Sequence, residues 1–167
     1  MQVKTTRFGM LDIPDSDILS FPKGLFGFEE VHQYALLEDR APIPFRWMQA
    51  ISRPDLAFVV IDPCQLLDDY EVSLFDEDAQ ALGWEEGVAF EVLVILGVPD
   101  DPHQMTANLK GPIVIHRRAG MGRQVIVLGN QWSPRTPVLE QLSRPHKGAV
   151  RVALRSHSQG KVGANEI

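Results

Sequence analysis

The chain has one cysteine, Cys64, in 167 residues. An internal disulfide is therefore excluded, and a reducing compartment, the cytoplasm, is the expected location. The C-x-x-C spacing of zinc and redox sites is absent, and Cys64 reads either as a nucleophile with a distant histidine or as a small buried apolar residue. No apolar run approaches the roughly 18 residues of a membrane span. The opening MQVKTTRFGM has no apolar signal core. His32, His103, His116, His146 and His157 never fall into HxH or HExxH spacing, so no metal or cofactor is expected. The phosphate-binding texts GxxxxGK[ST] and GxGxxG are also missing. The glycines of RRAGMGR fit a hairpin turn better than a phosphate nest. The carboxylates of DDYE and DEDAQ read as a solvated acidic face, and catalysis is not the expected function.

Charge of one sign is scarce in each half. Residues 102–167 contain only 2 acidic side chains against 10 basic, whereas residues 1–101 contain 20 acidic and 6 basic. Either the halves fold against each other and neutralise, or at least one meets a charged partner. An acidic surface steers basic partners and repels nucleic acid.

Strand text dominates what is present. Candidates are Val3–Phe8, Ile18–Phe21, Tyr34–Leu37, Phe45–Ile51, Leu56–Ile61, Glu71–Leu74, Phe90–Val98, Ile113–His116 and Gln124–Leu128. They are short and punctuated by Gly, Pro and Asp, as in β-barrels and sandwiches. FEVLVILGV is almost continuously apolar, so it is expected to be central and covered on both faces. PIVIH and RQVIVL are expected to pair as a hairpin across RRAGMG. Helix signals are few. Asp76, Glu77 and Asp78 open one segment that Gly83 closes. Thr136–Ser143, with Pro137 at its first turn, is the second candidate. The expectation is a mostly β, compact, antiparallel barrel-like single domain over residues 1–154, with one or two short helices. A flexible tail is expected from residue 155 onward.

Two stretches carry more than a fold requires. FPKGLFGFEEVHQY places Phe21, Leu25, Phe26 and Phe28 around two glycines, which favours a plug over the core; the alternative is an exposed aromatic patch. In PFRWMQAISRPDLAFVVIDP, strand alternation puts Phe45, Trp47, Gln49 and Ile51 on one face and Arg46, Met48, Ala50 and Ser52 on the other. Both faces carry bulk, so Trp47 or Met48 is either core or an interface anchor.

In order, FPKGLFGFEEVHQY, PFRWMQAISRPDLAFVVIDP, YEVSLFDEDAQALG, TANLKGPIVIH and GRQVIVL resemble the bacterial flagellar assembly factor family FliW, over roughly residues 3 to 135. The resemblance implies a cytoplasmic, non-enzymatic protein with two alternative partners. One is flagellin; the other is the basic translational repressor CsrA, which the free factor sequesters. Flagellin that accumulates occupies the factor and releases the repressor. The −14 balance of the first half suits a basic, RNA-binding partner. No direct nucleic-acid or membrane contact is expected.

Expected contacts to CsrA are Asp68, Asp69, Glu71, Asp76, Glu77 and Asp78, and expected apolar anchors are Phe45, Trp47, Met48 and Phe58. Asn108, in TANLKGP, is expected to bond its own backbone in a tight connection, the alternative being a side chain that faces a partner. The competing reading is an RNA-binding barrel that uses Arg117, Arg118, Arg123, Arg144, Lys147, Arg151 and Arg155 directly.

Overall fold

The computed structural model describes residues 1–155 apart from Asp39, Ile43, Ser143, Lys147 and Ala149. The elements run β1 (Gln2–Thr5), β2 (Gly9–Asp12), β3 (Ile18–Ser20), β4 (Gln33–Leu37), β5 (Arg46–Ala50), β6 (Ala57–Ile61) and β7 (Glu71–Leu74). They continue with α1 (Asp76–Leu82), β8 (Glu91–Gly97), β9 (Thr106–Ala107), β10 (Ile113–His116), β11 (Met121–Gln124), β12 (Thr136–Pro137), α2 (Leu139–Leu142) and β13 (Arg151–Leu154).

Seven strands pair in the order β10-β11-β3-β4-β5-β6-β8, and the pairing of β10 with β8 closes them into a barrel. All contacts around it are antiparallel except β11 with β3. The expected mostly β barrel with two short helices is what forms. Strand alternation sends Leu19, Tyr34, Leu36, Met48, Val60 and Leu93 into the lumen. FPKGLFGF closes it as a plug: Phe21 is fully buried and Leu25 is 1 % exposed. The Phe21 ring meets the Tyr34 ring edge-on at 5.4 Å. Phe26 stays outside, 51 % exposed, its N–H held by Gln124 Oε1 at 2.8 Å. Gly122 leaves the space that the Phe21 ring fills, since a Cβ there would stand 2.3 Å from Phe21 Cζ.

Two layers cover the outside. The β1–β2 hairpin lays Val3, Leu11 and Ile13 over Ala35, Leu37 and Trp47. A second layer of β7, α1 and β13 packs on the outer faces of β6, β8 and β10. Val92, Val94 and Leu96 therefore lie under this layer, while Leu93 and Ile95 face the lumen. Strand β8 is covered on both faces, as its apolar text implied.

Several boundaries differ from expectation. Val3–Phe8 is not one strand: Thr5 Oγ1 donates to Gly9 O at 2.6 Å and accepts from Phe8 N–H at 2.8 Å, which folds a turn leading into β2. Met121 begins the second arm of the expected hairpin, and beyond Gln124 the chain leaves the ladder. Thr136 and Pro137 pair with β9, leaving only Leu139–Leu142 helical. Strand β13, in a basic stretch with no obvious strand pattern, adds parallel to β7. The expected tail lies outside the described residues except for Arg155, whose N–H donates to Leu74 O at 2.7 Å.

The two oppositely charged halves do meet. Arg117 binds Glu38 at 2.7 Å and Glu91 at 2.9 Å, and Arg46 reaches the same two carboxylates at 3.3 and 2.9 Å. Arg123 binds Asp78 at 2.7 Å. Arg144 pairs with Glu140, and Arg151 stands 4.0 Å from Glu71. Arg118 is exposed, and Lys147 is not among the described residues. Most of the basic side chains of the RNA reading thus face carboxylates of the same chain.

A Gly122→Ala substitution is expected to force the Phe21 ring off its rotamer and cost about 1–3 kcal/mol in urea denaturation. The Arg117 hydrogen bond, opposed by desolvation, holds the Glu38 carboxyl below its usual range. That contribution is complete above the ordinary glutamate pKa of about 4.3 and is lost as pH falls through the lowered folded value. Glu38 is largely exposed, so Glu38→Gln is expected to cost under about 1 kcal/mol at pH 7. It should also flatten the fall in urea midpoint between about pH 5 and pH 2.

Candidate partner-binding groove

The stretch Asn108–Pro112 interrupts the pairing along one edge of β8. Strand β9 pairs with β8 at Leu96 and Gly97, and β10 pairs with the same edge of β8 at Glu91, Val92 and Leu93. The residues between them loop out as an enlarged bulge. Asn108 Oδ1 accepts from the N–H groups of Lys110 at 3.2 Å and Gly111 at 3.0 Å, which fixes the loop. The expectation that Asn108 bonds its own backbone is therefore met.

This bulge carries a second segment on its outer side. Val125 and Val127 donate N–H to the carbonyls of Pro112 and Lys110, each at 2.9 Å. The Lys110 ammonium donates to Gly129 O, and Leu109 N–H donates to Ser133 O at 3.2 Å. Tyr70, 2 % exposed, donates its hydroxyl to Leu109 O at 2.5 Å. Burial raises its phenol above the ordinary range. Its ring rests against Trp132 at 5.7 Å. Residues 125–133 are thereby held as a wall facing β7 and β13.

Between wall and strands lies a groove of about 470 Å³. One end carries Asp68, Asp69, Glu71 and Arg151. Asp68 stands 3.3 Å from His146 Nδ1; among the described residues Asp69 has no ion-pair partner. The other end carries Phe75, with the Arg155 guanidinium 5.2 Å above its ring. Ile126 and Leu128 on the wall are 54 % and 43 % exposed, and Phe75 is 38 % exposed. Three large apolar side chains open to water in one concavity, beside carboxylates, suit a protein surface more than a small polar substrate.

The expected contacts divide. Asp68, Asp69 and Glu71 line the groove. Asp76, Glu77 and Asp78 form the first turn of α1 just beyond Phe75. Glu77 binds Lys23 at 3.2 Å, and Asp78 binds Arg123 through Oδ1 while its Oδ2 accepts from Phe75 N–H at 3.3 Å. Two of these three carboxylates thus lock α1 to the barrel. Asn108 lies beneath the wall and holds the loop that supports it.

The apolar anchors do not gather. Met48 is fully buried in the lumen, because its strand face points inward, so the expectation of a surface anchor there is corrected. Trp47 packs under the β1–β2 hairpin, edge-on to Phe8 at 5.6 Å and beneath Arg7 at 4.4 Å. Phe58 meets Phe28 at 5.2 Å, and Phe45 packs on the outer core. The apolar groove residues Phe75, Ile126, Leu128 and Trp132 went unnoticed in the sequence, where IVL reads as buried strand.

Burial and the neighbouring Asp62 push the Cys64 thiol up to about 11, so it stays protonated at neutral pH. Among the described residues no three His, Cys, Asp or Glu converge to hold a metal ion. No described helix is long and apolar enough to cross a membrane.

Comparison with known proteins agrees with this architecture. The family model described as "FliW protein" matches residues 2–138. The Flagellar assembly factor FliW of Thermoanaerobacter pseudethanolicus is 37 % identical over 150 residues, 89 % of this chain and 100 % of that one. That of Leptospira biflexa is 38 % identical over 144 residues, 84 % and 92 % of the two chains. A crystal structure of the flagellar assembly factor FliW superposes with a TM-score of 0.75 at 32 % identity, covering 82 % of this chain and 96 % of that one.

Tyr70→Phe is expected to leave the Leu109 carbonyl unpaired beneath the wall. The cost should be about 1–3 kcal/mol in urea denaturation, with an unchanged far-ultraviolet spectrum.

Proposed function

This chain belongs to the FliW family of flagellar assembly factors, and from that premise we propose that it is a cytoplasmic partner switch that binds flagellin and the translational repressor CsrA in turn. Free factor withholds CsrA from flagellin messenger RNA; flagellin that accumulates displaces CsrA and translation stops. The observation that carries this reading is the groove, with exposed Phe75, Ile126 and Leu128 beside Asp69 and Glu71. A repressor that holds RNA phosphates is basic, and an acidic rim gives it a complementary field. The apolar wall offers anchors for an amphipathic segment of flagellin. The role is binding, without catalysis.

Charge reversal at Glu77 and Asp78 would also break the pairs to Lys23 and Arg123, so the cleaner test uses Asp69 and Glu71. Calorimetry should show CsrA and flagellin each binding alone, and CsrA failing to bind the flagellin-loaded protein. Asp69→Lys with Glu71→Lys is expected to weaken CsrA about tenfold and to flatten its salt dependence, with the urea midpoint unchanged. Unaltered CsrA affinity in that variant would remove the groove from the CsrA interface.

A further inference from the structure

Among the described residues, strand β7 has one edge with no paired strand. Its partner β13 takes up the backbone groups of alternate residues: Arg151 N–H donates to Tyr70 O at 3.1 Å and Arg155 N–H to Leu74 O at 2.7 Å. Backbone alternation then turns the N–H and C=O of Glu71 and Ser73 the other way. Among the described residues, neither has a backbone partner. The wall opposite repeats the pattern. Val125 and Val127 bind the bulge, so Ile126 and Leu128 present their N–H and C=O away from it. Both unpaired edges border the same groove, which is lined by Glu71, Ser73, Ile126 and Leu128, with Arg151 and Arg155 also reaching it, while Val152 turns inward to the outer core.

An unpaired edge is a template for another strand, and proteins usually block it with a charge, a bulge or a cover. Among the described residues it is left open beside apolar side chains. We infer that the groove receives an extended segment of a partner protein by strand addition to β7. The segment has apolar side chains at every second position and at least one lysine or arginine between them. The backbone of Glu71 and Ser73 supplies hydrogen bonds that only an extended chain can meet. Ile126, Leu128 and Phe75 receive the apolar side chains, and Asp69 and Glu71, both exposed, receive the basic one. A helix has its backbone groups internally satisfied and would leave the β7 edge unpaired. This inference rests on reading the groove as a partner site and adds the form in which the partner enters it.

The test uses the full-length protein and a defined probe, an acetylated and amidated octapeptide of alternating valine and lysine. Amide exchange followed by NMR should show protection of the Glu71 and Ser73 N–H groups when the probe is added. Two further versions of the probe, N-methylated at all valines or at all lysines, separate backbone pairing from side-chain contact. One of them should bind at least about tenfold more weakly than the parent and the other should not, because an added strand offers β7 the N–H groups of alternate residues only. Equal affinity for all three peptides, equal loss for both methylated ones, or a parent probe that fails to bind overturns strand addition. Protection of Glu71 and Ser73 without probe that disappears when residues 156–167 are deleted assigns the edge to this chain's own end, and also overturns it. The CsrA and flagellin titrations are independent of these peptides. Loss of the probe with retention of both proteins removes the strand mode and leaves the partner switch standing.

Discussion

Strand β8 is paired on both edges and packed on both faces, and the rest of the described molecule is arranged around that condition. One edge pairs with β6; the other pairs first with β10 and then with β9. A seven-residue strand that pairs along both edges closes the barrel. Its alternate side chains then belong to two cores, one in the lumen and one under β7, α1 and β13. At about 1.5–3 kcal/mol for each large apolar side chain fully buried, this single strand contributes to both layers.

The same strand explains the bulge. The chain that returns along β8 keeps its pairing at both ends and loops out between them, where Asn108 satisfies two N–H groups of the loop. That loop lends the carbonyls of Pro112 and Lys110 to the segment after β11. An irregularity in the barrel wall thus becomes the support for a second extended segment, and the groove is the gap between that segment and β7. Asn108 belongs to the construction of the groove and makes no contribution to its surface.

Charge plays two parts that the net value conceals. Glu38 and Glu91 with Arg46 and Arg117 close one end of the barrel, and Asp78 with Arg123 fixes α1. The pairs made by Arg117 and Arg123 join residues far apart in the chain, which draws the acidic and basic halves together. Asp69 and Glu71 are outside these networks and remain exposed at the groove. The carboxylates available to a partner are therefore few and localised, and they sit next to apolar side chains.

Composition, short β-branched runs and turn residues were enough to determine a small β-rich barrel, the doubly covered β8, the plug at Phe21 and Leu25, and α1 between its acidic start and Gly83. These follow from local rules: side-chain alternation, turn chemistry and helix ends act over a few residues. Tertiary structure alone decided that Met48 is interior, that Glu77 and Asp78 are engaged internally, and that Ile126 and Leu128 face water. It also decided that RVAL near the end of the described chain forms a strand. Those outcomes depend on which distant segment arrives beside each residue, and burial and pairing between distant segments are not encoded in any short stretch.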